Sequence, residues 1–287
     1  MAFNWQTFKT RALTAIVFVV IMMGGLLYNR WSFFLLFTVV HFGGWLEYQK
    51  LVTKFNPEYD RIIPVHRYGI MIAGWCLMLF FSNDTLAVGP VILSQVGFWL
   101  GIAFMILLPL IMMLESKQVF LKNIFYSIFG ILYISLPLAL MVDLRTRWDE
   151  NLYQYSMTIP LLVIFSLWIN DTMAYIVGSL IGKTPLSKVS PKKTWEGTSG
   201  GVILTVIVIS LLAYFTKRLP VVDAAIMAAL AAVTGTIGDL FESKLKRMAG
   251  VKDSGAIMPG HGGFLDRFDS ILFAAVAVWF YADFFVH

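Results

Sequence analysis

Apolar runs long enough to cross a lipid bilayer recur along this chain from end to end, and few folds accommodate that. Hydrocarbon offers no water to backbone N–H and C=O groups, so such runs fold as helices that satisfy themselves internally. With roughly 17–25 residues per crossing, helices are expected near residues 12–28, 31–48, 68–82, 91–113, 123–142, 156–181, 199–216, 221–240 and 264–285. The third is the least firmly bounded, because Asn83-Asp84 and Gly89-Pro90 both break the pattern after it. Residues 1–11 end in Lys9 and Arg11 and precede an apolar run. They resemble a secretory leader but lack a small-x-small cleavage site, and are read as opening a retained first span. The expected fold is all-α: a polytopic integral membrane protein with about nine transmembrane helices.

Composition excludes the main rivals. Only 14% of the 287 residues are charged and 59% are hydrophobic, too few charges to clothe a soluble domain of this size. The net charge of +5 is not a nucleic-acid footprint, because the cations sit in short loops between apolar segments, where they set orientation. Sixteen Lys and Arg fall in loops on one side of the nine-span arrangement and five on the other. That asymmetry predicts a cytoplasmic amino terminus, an outward-facing carboxyl terminus and basic loops in the cytosol. Cys76, the single cysteine, lies in an apolar run and reads as a small buried hydrophobe, not as part of a disulfide or thiolate metal site.

The halves differ in character. Acids at membrane depth are concentrated in the second half, whereas the first offers His41, Glu47 and Gln95. The absence of an internal repeat argues against a two-fold transporter design. Residues 1–155 are expected to form supporting helices, a lipid-entry path or a dimer surface, and residues 156–287 a catalytic region with cytoplasmic loops.

Asp171, Asp239, Glu242, Asp266 and Asp269 lie within or at the rim of the last four apolar segments. An Asp near the centre of an inserted helix costs about 2.5–3.5 kcal/mol, so a set of such residues is expected to line a shared polar cavity. Any one of them alone reads as an ordinary helix-end charge. The set reads otherwise, because Asp239 and Glu242, and again Asp266 and Asp269, are spaced by three and share a helix face. Paired carboxylates suit a hard divalent cation, and magnesium commonly shares its shell with substrate phosphate.

Cations are interleaved with these acids. Ser190-Pro191-Lys192-Lys193-Thr194-Trp195-Glu196-Gly197 places lysines beside hydroxyls, and Lys244, Lys246, Arg247 and Lys252 flank the Asp239 pair. Pro259-Gly260-His261-Gly262-Gly263 opens the last helix with a glycine turn, whose helix-start N–H groups are expected to attract phosphate. His261 is open to three readings, as general acid or base, phosphate contact or polar turn residue. Arg267, between two acids, is either their ion-pair partner or a substrate contact.

Ser243-Lys-Leu-Lys246-Arg247, Lys252-Asp253, Pro259-Gly-His261-Gly-Gly263 and Asp266-Arg267-Phe-Asp269 together resemble the signature of the phosphatidate cytidylyltransferases. Asp171-Thr-Met-Ala-Tyr175 with Gly178 and Gly182, and Ser190 to Gly197, resemble a second block of that family. The likeness covers roughly the last third of the chain. It implies a helical membrane enzyme of phospholipid synthesis that takes CTP and phosphatidic acid, releases pyrophosphate and depends on Mg2+, with acids enough for a second cation. Carried across, it implies metal or catalytic roles for Asp239, Asp266 and Asp269, with Asp171 and Glu242 as further metal candidates. Lys193 and His261 are implied as catalytic, and Ser190, Lys192, Lys193, Lys246, Arg247, Lys252, Gly262, Gly263 and Arg267 as substrate-binding. In-line attack of the lipid phosphate on the α-phosphorus of CTP needs no protein nucleophile. The resemblance further implies a bacterial inner-membrane location with a cytoplasm-facing site, and a homodimer. Two alternatives stand beside it: a CTP-dependent polyprenol or lipid kinase, and a cation-coupled transporter.

Overall fold

The computed structural model describes residues 5–115, 121–148, 152–255 and 262–286. Among the described residues ten α-helices follow in chain order: α1 Trp5–Leu27, α2 Arg30–Phe55, α3 Pro64–Phe80, α4 Leu93–Glu115, α5 Leu121–Gly130, α6 Leu136–Thr146, α7 Tyr153–Ile181, α8 Trp195–Thr216, α9 Val221–Met248 and α10 Leu265–Phe285. A π-helical turn, Ile131–Ser135, joins α5 to α6. Pro137 has no N–H to return to the Tyr133 carbonyl, which favours a widened turn at that point. Helical stretches therefore lie at all nine expected places. Among the described residues six are long and apolar enough to cross a membrane: Leu93–Leu114, the run Leu121–Thr146, α7, α8, α9 and α10. Met105, Met113 and Leu114 on α4 are each more than 70% exposed, an arrangement that lipid tolerates and water does not. The protein is a polytopic, all-helical membrane protein.

Several boundaries differ from expectation for identifiable reasons. Helix α2 runs to Phe55 instead of stopping near residue 48, because Gln49, Leu51 and Val52 continue a buried face. Helix α3 starts earlier than expected, at Pro64, a residue whose missing N–H costs nothing in a first turn. The doubtful region after it forms a small antiparallel hairpin, Ala87–Val88 with Val91–Ile92, turned at Gly89-Pro90 with Gly89 at φ +59°. Helix α9 extends two turns past residue 240, to Met248, since no glycine or proline intervenes before Gly250, which takes φ +67°. Lys246 and Arg247 thus ride the last turn of a helix, where cations complement its dipole, and not a loop.

The chain divides into two compact units, residues 1–136 with 248–268, and residues 137–247 with 269–287. The first has a core of Phe33, Phe37, Trp45, Tyr48, Leu51 and Met78, threaded by short polar links. Ser135 Oγ receives the Trp45 indole N–H at 2.9 Å and lies 3.0 Å from His41 Nε2, and Asn56 donates to Asn123 at 2.9 Å. In the second unit α7 and α8 pack closely along small residues, Ala174 and Gly178 against Gly197 and Gly201, with Gly182 against Thr194. A β-carbon on Gly201 would sit 2.9 Å from the Asn170 carbonyl oxygen. Gly201→Leu should force the helices apart and cost about 1–3 kcal/mol as an overpacked contact. Its expected result is a melting temperature several degrees lower in detergent, read by the loss of monodisperse protein on heating; an unchanged midpoint would refute the close contact.

Candidate active site

The loop between α7 and α8 is tied down at several points. Glu196, in the first turn of α8, accepts from the backbone N–H of Lys183 at 3.2 Å and of Thr184 at 3.2 Å. Trp195 N–H donates to the Thr184 carbonyl, and Thr194 caps α8 by accepting from Gly197 N–H at 3.1 Å. Within this frame Ser190-Pro191-Lys192-Lys193 makes a β-turn, its Lys193 N–H donating to the Ser190 carbonyl at 3.1 Å, with proline at the favoured second position. The turn leaves Lys192 exposed and carries Lys193 to an ion pair with Asp239 on α9.

Asp239 stands at the head of a carboxylate group. One oxygen from each of Asp239, Glu242 and Asp269 lies within 4.8 Å of the others. Glycines permit this convergence: a β-carbon on Gly238 would lie 2.6 Å from the Asp269 carbonyl oxygen and 3.3 Å from Phe273 Cβ, so α9 meets α10 with no side chain between. Glu242, fully buried, pairs with Lys246 one turn along at 2.5 Å. Asp269 accepts from Ser270 N–H at 2.6 Å. Asp171 on α7 acts electrostatically on both Lys193 and Asp269. Burial pushes the Lys193 ammonium below its usual range, while the Asp171 and Asp269 carboxylates hold it up.

Four carboxylates and two ammonium groups leave this cluster two negative charges in excess when all are ionised. A divalent cation would balance that charge, and carboxylate oxygens are the ligands that hard cations prefer. The donor set therefore fits such an ion, with Asp239, Glu242 and Asp269 offering one oxygen each at suitable mutual spacing.

The remaining expected residues fall as follows. Asp266 is not one of the three converging carboxylates. Its Oδ2 accepts from Ser254 N–H at 2.9 Å and Gly263 N–H at 2.8 Å, and lies 2.9 Å from Ser254 Oγ. Gly262 takes φ +83°, a left-handed turn open to glycine. The start of α10 differs from expectation. Its N–H groups are already taken, Gly263 by Asp266, and Phe264 and Leu265 by Glu47 of α2 at 2.9 Å each, so they do not stand open to phosphate. Arg247, Lys252 and Arg267 are exposed, and His261 lies outside the described residues. Sequence reasoning noticed Glu47 but gave it no role; its signal was a lone acid one turn past a Gly43-Gly44 pair.

Comparison with known proteins bears on the same residues. The model of the cytidylyltransferase family matches residues 9–285. The chain is 34% identical over 178 residues to the phosphatidate cytidylyltransferase of Bacillus subtilis, covering 59% of this chain and 64% of that one, just under two thirds of its length. Two further phosphatidate cytidylyltransferases align almost throughout: that of Staphylococcus saprophyticus at 32% identity over 92% of this chain and 95% of its own, and that of Haemophilus influenzae at 31% over 97% and 99%. A family match running through every acid-bearing helix and both basic segments, on a polytopic membrane fold with a carboxylate cluster, leaves one conclusion: the chain belongs to the cytidylyltransferase family.

Proposed function

We propose that this protein is a phosphatidate cytidylyltransferase, converting CTP and phosphatidic acid to CDP-diacylglycerol and pyrophosphate for phospholipid synthesis. The observation that carries the reading is the convergence of Asp239, Glu242 and Asp269 with Lys193 and Lys246 at the ends of apolar helices. A lipid phosphate and a soluble polyphosphate meet at that depth, and the residues present match what both bring.

Asp239, Glu242 and Asp269 would hold Mg2+, with Asp171 as a further candidate. Asp266 is assigned a metal-site role on its place in the signature alone, three residues before Asp269. The bound ion supplies charge neutralisation on the nucleotide phosphates. Lys193, set on its β-turn, and Lys246, on the last turn of α9, turn from their carboxylate partners to phosphate oxygens. Ser190, Lys192, Arg247, Lys252, Gly262, Gly263 and Arg267 are assigned to substrate binding, and His261 to phosphate contact, on their places in the two signature blocks alone. The attacking lipid phosphate is ionised at neutral pH and needs no protein base, so the protein's work is to position the two phosphates in line and balance their charge.

Residues 156–287 carry the reacting groups and residues 1–155 support them. With nine crossings, the sixteen-to-five division of Lys and Arg favours a cytoplasmic amino terminus and a site on the cytoplasmic face of a bacterial inner membrane. The assembly is a homodimer, which cross-linking in native membranes checks.

Purified protein in lipid, given CTP, phosphatidic acid and Mg2+, should release pyrophosphate only when both substrates are present. Chelation with EDTA should stop release, and added Mg2+ should restore it. Release of CDP would point to a lipid kinase, and no turnover by well-folded protein would favour a transporter; either result refutes the proposal.

A further inference from the structure

Glu47 lies within a helix otherwise remote in sequence from the signature region, and the residue is 3% exposed. Oε1 accepts from Phe264 N–H at 2.9 Å, and Oε2 accepts from Leu265 N–H at 2.9 Å and Ser254 Oγ at 2.7 Å. One carboxylate thus takes the first amides of α10 and ties Ser254 to them. The neighbouring surface of α2 is shaped to receive them. Any β-carbon on Gly43 would strike the Phe264 ring, and one on Gly44 would sit 3.5 Å from Leu265 Cδ2. Space runs out from the other side too, since a β-carbon on Gly255 or Gly263 would collide with Glu47 itself. Ser254 Oγ stands between two acids, 2.7 Å from Glu47 Oε2 and 2.9 Å from Asp266 Oδ2, and Asp266 in turn accepts from Ser254 and Gly263 N–H. A buried carboxylate that accepts several N–H and O–H bonds costs less than a bare one, yet it stays expensive unless every partner is in place. Orienting a signature segment is a reason to keep it.

We infer that Glu47 is a positioning residue for the cytidylyl transfer: together with the Gly43-Gly44 surface, it fixes Ser254 and the turn at residues 262–264, and through them the rotamer of Asp266. The inference rests on the transferase reading and adds to it the task of the amino-terminal half. Glu47 touches no substrate; it acts through the backbone that Asp266 also binds. The turn is then held from one face by Glu47 and from within by Asp266, with Ser254 common to both.

The test compares wild type, Glu47→Gln and Gly43→Ala in detergent, by hydrogen–deuterium exchange, melting temperature and Mg2+ titration of pyrophosphate release. Glu47→Gln keeps the size of the side chain but loses the charge and turns an NH2 toward backbone N–H. It should speed exchange in peptides spanning 253–266 at least tenfold while peptides from α4 and α8 stay as in wild type. Its Mg2+ midpoint should rise five- to tenfold, with kcat reduced at least tenfold and KM for CTP changed less than threefold. Gly43→Ala, which retains the carboxylate but crowds Phe264, should shift the Mg2+ midpoint in the same direction. A general loss of stability would lower the active fraction and leave the Mg2+ midpoint and KM unchanged, and that pattern would overturn the inference. So would a Glu47→Gln enzyme with wild-type exchange and titration. If wild type itself makes no pyrophosphate, the transferase reading fails, while exchange at 253–266 still reports whether Glu47 anchors the turn.

Discussion

Asp269→Asn is expected to cut pyrophosphate release by 10²–10³-fold or more, a loss on the order of that caused by deleting one preorganised electrostatic partner of a reacting group. Asparagine has nearly the same shape, so the Ser270 N–H bond to the side chain at 2.6 Å and the close approach of Gly238 survive. Only the charge is lost. In the resting protein that charge repels Glu242 and Asp171, so its removal should leave the melting temperature equal to or above that of wild type. The pairing of near-total inactivity with undiminished stability marks a group kept for chemistry at a cost to the fold. Activity within threefold of wild type would remove Asp269 from the site.

Lys193→Met should reduce kcat/KM for CTP by about 10²-fold, the equivalent of about 3 kcal/mol, which is the upper range for a hydrogen bond to a charged group. The β-turn that presents Lys193 uses backbone atoms of Ser190 and Lys193, so the turn itself outlasts the substitution. Methionine keeps most of the side chain's apolar stem and leaves Asp239 without its ammonium. Lys193 and Asp239 act as a unit, so the double variant Lys193→Met/Asp239→Asn should lose far less than the product of the two single losses. Strict multiplicativity would show that the pair does not work together. Lys193→Arg should recover part of the rate, because the charge returns in a bulkier, forked form.

The sequence disclosed most of what composition and periodicity can carry. Helix positions followed from hydropathy, and the clustering of Asp239, Glu242 and Asp269 was foreshadowed by their spacing and by the cost of acids at membrane depth. The extent of α9 was missed because Lys244, Lys246 and Arg247 look like loop residues, although an uninterrupted helix with Glu242 and Lys246 paired one turn apart accommodates them. The start of α10 was misjudged for a different reason. Whether its N–H groups are open depends on Glu47, 217 residues away from Phe264 in the chain, and no local pattern records a partner at that distance. Asp266 and Asp269 likewise looked like one equivalent pair by spacing, yet one binds Ser254 and Gly263 and the other joins the carboxylate group. Periodicity tells which face a residue occupies, not what meets that face.

The bond from Glu47 to the start of α10 also sets an order of events at biosynthesis. Helix α2 leaves the ribosome roughly two hundred residues before the amides that satisfy its carboxylate exist, and chains assemble from the amino terminus onward. Until Ser254, Phe264 and Leu265 arrive, that carboxylate must stay hydrated, so α2 can settle fully only after the last helix has been made. A chain cut short before α10 therefore carries an unmet charge in its first half, which is a ready mark for membrane quality control.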